Sequence, residues 1–398
     1  MITRVADQMK FDLLNNSISN IQNDYNELMV EMSTQKKVNE PSDDPVGMGK
    51  ILDYRSAQAQ ISYYQKNVDS SNSWLSTAES NLSSVNDILN QVKETAMAQS
   101  TATSNASSRQ VAADALQPLI DQVLSLANAK FGNSYIFSGT RTDTEPFSAT
   151  AQAARIDAPV KASGDAFDGG VTSGGSYTGT ANKTYVVKII TGGTLAASTY
   201  QISADGGKTF GATQSDLSAP VTIGDGIQLT FTAGTTDLAA NDMFSVRAYA
   251  AGYYNGNGEE LSNEVNNGVT SNYNITGQEA FTDQGNGTVD IFQTLNDLKT
   301  ALQNNDAAGI ANQLDPLSKA QDQINRYIGQ CGTRTNSLTI SSTTLSDMNT
   351  RITGLNSNIE DADLAKLSTD YQYKQVALEA CYKMASDLTS NSILNFIR

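Results

Sequence analysis

The sequence predicts a mainly α protein: a long coiled-coil helical rod formed by both chain ends, with an antiparallel β domain inserted in the middle. Three observations carry this. Apolar residues recur every seven positions through both ends of the 398-residue chain. No proline or glycine interrupts residues 50 to 104, a run that as one helix would be roughly 80 Å long at ~1.5 Å per residue. Between the ends, residues 146 to 250 turn rich in Gly, Thr, Ser and Ala, and their apolar residues alternate instead.

Within residues 9 to 35, Phe11, Leu14, Ile18, Ile21, Tyr25, Leu28 and Met32 fall at spacings of three and four, the seam of a heptad helix. KKVNEPSDDPVGMG, residues 36 to 49, follows. Its two prolines end one helix and begin the next. Asp44 is placed as N-cap with Pro45 at the first helical position, and Asp43 lies near the positive end of the dipole. Gly47 and Gly49 leave room for close packing. Past this turn, Tyr54, Ile61, Val68, Leu75, Leu82, Leu89 and Ala96 recur every seven residues, accompanied by Ala57, Tyr64, Ser71, Ala78, Val85 and Val92. A third stripe, Ala112, Leu116, Leu119, Val123 and Leu126, contains Pro118, which predicts a bend or restart.

In the middle, TYVVKII (184 to 190), GIQLTFT (226 to 232) and DMFSVRAYA (242 to 250) read as strands, and STYQISADGGKTF as two strands around an Asp205-Gly206 turn. Residues 251 to 285 read as hairpins and turns. The heptad then resumes at Ile310, Leu317, Ile324, Cys331, Leu338, Leu345, Ile352 and Ile359. Asp315-Pro316 reads as a helix start, and Gly329, Gly332 and Gly354 weaken the helix locally. A last segment, 361 to 397, carries Leu364, Leu367, Tyr371, Leu378, Cys381 and Leu388.

Composition removes whole classes of function. The formal net charge is −16, so no basic footprint exists to neutralise phosphates of a nucleic acid. Histidine is absent, which eliminates Ser-His-Asp and Cys-His catalysis and histidine metal ligation. Two cysteines cannot make a structural zinc site, and both sit in apolar stripes as expected of buried thiols. No continuous apolar segment marks a secretory signal peptide or a membrane span. GGKT at 206 to 209 lacks the preceding Gly of a phosphate loop, since Ile202 stands there. The acids Glu259, Glu260, Glu264, Glu279, Asp283, Asp290 and Asp297 have no calcium-loop spacing, and lone Trp74 reads as packing. No catalytic, metal or cofactor site is expected, and the chain is read as a non-enzyme.

The KKVNEPSDDPVGMGK stretch resembles the loop signature of the flagellin superfamily in its hook-associated form. YIFSGTRTDTEPF (135 to 147) resembles that family's exit from the helical domain, and the ending from Asp361 resembles its C-terminal helix. The similarity covers roughly residues 1 to 147 and 251 to 398. Pro118 departs from a helix that is smooth in the family, and Asn-Phe-Ile at the end departs from the Ser-Leu-Leu of many flagellins.

The resemblance implies an extracellular structural part of the bacterial flagellum, exported through the flagellar type III channel without a cleaved signal. It implies a place between hook and filament, with the first hook-associated protein and flagellin as partners, and a cytoplasmic export chaperone at the C-terminal region. A filament flagellin and a surface-binding protein acting through the β insert are the alternatives. The expected organisation is an N-terminal assembly helix and linker (1–43), rod (44–147), β domain (148–250), hairpin region (251–286), rod (287–359) and C-terminal assembly helix (360–398). The terminal helices are expected to pair with each other and then with neighbouring subunits. Phe11, Leu14, Ile18, Ile21, Tyr25, Leu28, Met32, Leu367, Tyr371, Leu378, Leu388, Ile393 and Phe396 are the expected interface. Asn39, Pro41, Ser42, Asp43, Asp44 and Pro45 are the expected turn and cap.

Overall fold

The computed structural model describes the backbone of residues 2–101, 103–285 and 287–396, and the side chains of 9, 11–101, 103–285 and 287–387. The helices are α1 (Ile2–Thr34), α2 (Pro45–Gln99), α3 (Ala106–Ala127), α4 (Gly277–Phe281), α5 (Ile291–Gln303), α6 (Ala307–Asn312), α7 (Leu314–Glu360) and α8 (Leu364–Phe396). Two compact units result. One holds the chain up to Gln65 together with Thr343 onward, and the other is Lys66–Ser342. The units part within α2 and α7, so the turns at 35–44 and 361–363 lie inside the first unit.

In the first unit α1 packs on α8. The backbone strap between them is an antiparallel bridge of Lys36 with Asp361. Gln58 Nε2 donates to Thr353 Oγ1 at 2.8 Å, tying the start of α2 to the end of α7.

The second unit has a helical part and a β part. Along α2, Val68, Leu75, Ala78, Leu82, Val85, Leu89, Val92 and Ala96 are fully buried, as are Leu317, Ile324, Cys331 and Leu338 of α7. A buried leucine of this kind contributes about 1.5–3 kcal/mol, so the seven-residue register is where the stability of both helices originates. Lys93 Nζ donates to Gln321 Oε1 at 3.0 Å across this pair. Trp74 is buried against the rings of Phe131 and Tyr273, at 5.7 and 5.8 Å between centroids. Cys331 and Cys381 are both buried free thiols, and burial pushes the Cys331 thiol up to about 12.

Several details differ from the sequence reading. The chain breaks helix at 100–105 and not at Pro118, which lies inside continuous α3. Pro118 and Asp114 are both exposed, so water can satisfy the carbonyl that loses its i+4 donor. The break is held instead by Arg109, which donates to the Gln99 and Thr101 carbonyls at 3.0 Å each and to Asn305 Oδ1 at 2.6 Å. Asp315 does not cap α7: the helix already begins at Leu314, and Asp315 pairs with Lys319 at 2.7 Å one turn on. Ile310 belongs to the separate helix α6, whose N-cap is Asp306. Leu119 and Leu126 are half-buried, while Ile120, Ala113 and Ala127 fill the α3 core. Gly49 is exposed with open space around it.

The β part is two antiparallel sheets. In the first, Met243–Tyr249 pairs with Arg155–Ile156 and Val160–Lys161 on one side and Lys183–Thr191 on the other. Thr199–Ser203 and then Gln214–Ser215 complete it. The second is Val221–Gly224, Ile227–Thr232 and Gly170–Gly175. Ile227, Leu229 and Phe231 of one sheet share a core with Phe244, Val246 and Ala248 of the other, as alternation requires. The strand expected directly after Asp205-Gly206 begins only at Gln214. Asp205 takes the Lys208 and Thr209 N–H groups at 2.9 Å each, leaving neither for a ladder.

Residues 251–285 form more than turns. Gly252–Tyr254 pairs with Phe147–Gln152, Ser262–Asn266 with Val269–Asn272, and α4 closes the segment. Phe147 packs on Tyr254, Phe281 and Phe292 with ring centroids 5.0, 5.2 and 5.1 Å away. Gly139 is obligatory in this region: its φ is +71°, and a Cβ there would lie 2.4 Å from the Asn257 carbonyl.

Candidate assembly surface

The surface begins at the turn. Asp44 Oδ1 accepts from Val46 N at 3.1 Å and Gly47 N at 2.9 Å, the second and third residues of α2. This is N-cap geometry, with proline at the position whose missing N–H costs nothing. Asp43 faces the other way. Its Oδ2 accepts from the Asn39 and Glu40 N–H groups at 2.8 Å each. Those bonds to the Glu40 and Asn39 amides hold its carboxyl below the usual range. Asn39 Nδ2 donates to the Lys36 carbonyl at 2.9 Å. Pro41, Ser42 and Pro45 are exposed. Gly47 is buried, and a Cβ on it would meet Asp44 Oδ2 at 2.4 Å and Ile359 Cγ2 at 3.2 Å.

Glu360 knots this turn to the far end of the chain. It is 3% exposed, accepts from Arg55 Nη2 and Asn356 Nδ2 at 2.5 Å each, and pairs with Lys36 Nζ. Burial alone would raise its carboxyl. The bonds from Lys36, Asn356 and Arg55 outweigh it and hold the group below its ordinary value. The Glu360 carbonyl also accepts from Lys37 N at 2.7 Å, and the Gln35 carbonyl from Ala362 N at 3.0 Å. Asp363 then starts α8, accepting from Ala365 N at 3.0 Å.

From this knot α1 and α8 run antiparallel. The rings of Tyr25 and Tyr371 stack with centroids 4.8 Å apart, and their hydroxyls lie 2.5 Å apart. Lys374 Nζ bonds Asp24 Oδ2 at 2.6 Å. Of the residues expected at the interface, Leu367 is buried, and Leu14, Ile18, Ile21, Tyr25, Leu28, Tyr371 and Leu378 are half-buried between the two helices and solvent. Phe11 and Met32 remain exposed at 46% and 42%. The side chains of Leu388, Ile393 and Phe396 lie outside the described residues.

Sequence reasoning missed two features here. One is the Glu360 knot, because a lone glutamate at a helix end carries no spacing signal. The other is a second set of apolar side chains outside the seven-residue register. Leu13 is 69% exposed, Tyr373 73% and Val376 66%, and Met29, Val30, Tyr382 and Met384 are exposed as well. Their signal was present: an apolar residue off the seam of an amphipathic helix has no partner in a two-helix pair. The pair therefore turns apolar side chains both inward and to solvent.

Among the described residues no cluster of three or more His, Cys, Asp or Glu could hold a metal ion, and no helix is long and apolar enough to cross a membrane.

Comparison with known proteins bears on the fold and on what the chain resembles. The family description "Bacterial flagellin N-terminal helical region" matches residues 6–142. Flagellar hook-associated protein 3 of Salmonella typhimurium is 34% identical over 145 residues, covering 36% of this chain and 46% of that protein. The protein of the same name from Escherichia coli is 36% identical over 146 residues, with the same coverage. The chain thus spans about half the length of the curated relatives it matches. A solved structure assigned to a flagellar hook-associated protein of Vibrio parahaemolyticus superposes with a TM-score of 0.51 at 17% identity, over 80% of this chain and 100% of that one. This supports the fold: long terminal helices with an antiparallel β domain between them. Residues 6–142 thus match the flagellin N-terminal helical region, and over this stretch the chain is similar to flagellar hook-associated protein 3.

Proposed function

We propose that this chain is a structural subunit of the bacterial flagellum that joins the hook to the flagellin filament. The observation that carries the reading is the outward apolar face of the α1–α8 pair, with Leu13, Tyr373 and Val376 each about two-thirds exposed or more. Such a face is costly to leave in water and is offset by burial when subunits meet. In this reading contacts between copies are head-to-tail, one patch of the pair meeting a different patch of the next. A rotation and rise then generate a tubular layer. Phe11, Met32 and the half-buried seam from Leu14 to Leu28 and from Leu367 to Leu378 supply the surface, continued by Leu388, Ile393 and Phe396. Asn39 to Pro45, with Glu360, fix the angle at which that surface leaves α2 and α7.

The partners are the first hook-associated protein on one side and flagellin on the other. A cytoplasmic export chaperone holds the C-terminal region before export, and the site of action is outside the cell. The chain carries no chemistry of its own and works by geometry. Electron microscopy of flagella from a strain lacking the gene tests this. Hooks without filaments, with flagellin shed into the medium, are expected. Full-length filaments on normal hooks would reject the proposal.

A further inference from the structure

Methionine is distributed unevenly in this molecule. The chain has nine, yet among the described side chains none belongs to the buried core, which is built from Leu, Val, Ile, Ala, Phe and Tyr with Trp74, Cys331 and Cys381. Four lie on the terminal helix pair with large exposures: Met9 at 73%, Met29 at 46%, Met32 at 42% and Met384 at 50%. Met29 and Met32 are three residues apart and share a side of α1. The antiparallel pairing that sets Tyr25 beside Tyr371 brings Met32 level with Leu364, itself 50% exposed. A thioether in such a place is soft and adaptable in a contact between subunits. It is also open to oxidants in the free subunit.

We propose that Met9, Met29, Met32 and Met384 are oxidation sites that control addition of this subunit to the flagellum; the proposal rests on the assembly reading above. The oxidant is a peroxide. Its O–O bond breaks, one oxygen bonds to the sulfur, and the other leaves as water. Each sulfur loses two electrons and the peroxide gains them. The product sulfoxide is polar and chiral, and it cannot be buried in an apolar contact without a donor. Inside the assembled layer the same thioethers are covered and protected, so the sensitive state is the subunit before addition.

The test uses the full chain, hydrogen peroxide and filament-less hooks isolated from a strain lacking this gene. Peptide mass spectrometry reports sulfoxide at each methionine, and electron microscopy reports addition to hooks. The untreated chain is expected to add, as is an untreated Met97→Leu, Met243→Leu, Met348→Leu variant, which is altered only at exposed methionines outside the terminal helices. The treated wild-type chain and the treated variant should both add about ten-fold less or worse, and methionine sulfoxide reductases should restore addition of each. In the hook-bound subunit the four sites should oxidise about ten-fold more slowly than in the free one. Undiminished addition of the fully oxidised wild type, undiminished addition of the treated variant, or equal oxidation rates free and bound would overturn the proposal while leaving the assembly reading intact. Failure of the untreated chain to add at all would overturn both.

Discussion

Replacing Glu360 with alanine removes the knot that ties the first turn to the last. In the folded chain its carboxylate, 3% exposed, accepts from Lys36, Arg55 and Asn356. A hydrogen bond to a charged group contributes about 1.5–3 kcal/mol, and breaking a fully buried ion pair costs about 3–5 kcal/mol. Here the cations keep much of their hydration, since Lys36 and Arg55 side chains are 41% and 51% exposed. The low end applies to each, and about 2–4 kcal/mol is expected for the knot as a whole. Site-resolved amide hydrogen exchange is the suitable assay, because two compact units make one melting temperature ambiguous. The Lys37 and Ala362 amides, which bond across the strap, should exchange at least about 30-fold faster in Glu360→Ala at pH 7. Because the folded carboxyl lies below its unfolded value, this stabilisation is present above that value. It is lost as pH falls through the folded one, so wild type and variant should converge in acid. Unchanged exchange at both amides at pH 7 would refute the reasoning.

Leu82→Ala empties a site with no exposure in the α2 seam and should cost about 3–5 kcal/mol in denaturant unfolding; a cost below about 1 kcal/mol would show that the seam can collapse. Asp44→Ala should cost about 0.5–2 kcal/mol and speed exchange at Val46 and Gly47, with Asp44→Asn retaining most of the cap. Asp290 caps α5 through Gln293 N at 2.8 Å, and burial, with Asp283 and Asp297 nearby, pushes its carboxyl up to about 6. The folded chain thus binds this proton more tightly than the unfolded one, and stability falls as pH rises between about 4 and about 6. Asp290→Asn keeps a cap without the charge. It should exceed wild type by up to about 3 kcal/mol at pH 8, with the difference closing by pH 4. A difference independent of pH in chemical denaturation would contradict the assignment.

The helical ends were legible because burial on one stripe writes a seven-residue period directly into the sequence. Val68, Leu75, Leu82, Leu89 and Ala96 are all buried where the period placed them. Ile227, Leu229 and Phe231 were legible by the same logic at period two. Helix ends were less so. Pro118 was expected to bend or restart its helix, yet α3 runs through it without a restart, because its lost hydrogen bond faces water. Asp315-Pro316 looked like a start, yet α7 begins one residue earlier. The Asp205 turn misled because one carboxylate replaced the expected ladder partners. At the candidate surface, Tyr25 and Tyr371 could be marked as seam residues but not as partners. They are 346 positions apart, and a single sequence holds no information on which stripe meets which. The outward side chains Leu13, Tyr373 and Val376 were passed over for a different reason: an apolar residue off register looks like noise until its neighbours are known.

The central claim is that these outward side chains are covered by adjoining subunits. Introducing Leu13→Asp together with Val376→Asp, expressed as the only copy in motile cells, tests it most directly. Both sites are about two-thirds exposed in the free chain, so the purified variant should keep its helicity and lose no more than about 1 kcal/mol of stability. In the flagellum each aspartate would be an unpaired charge inside an apolar contact. The account predicts a folded, exported subunit absent from isolated flagella, with hooks bare and flagellin in the medium. Incorporation at the wild-type level, with normal filaments, would contradict it.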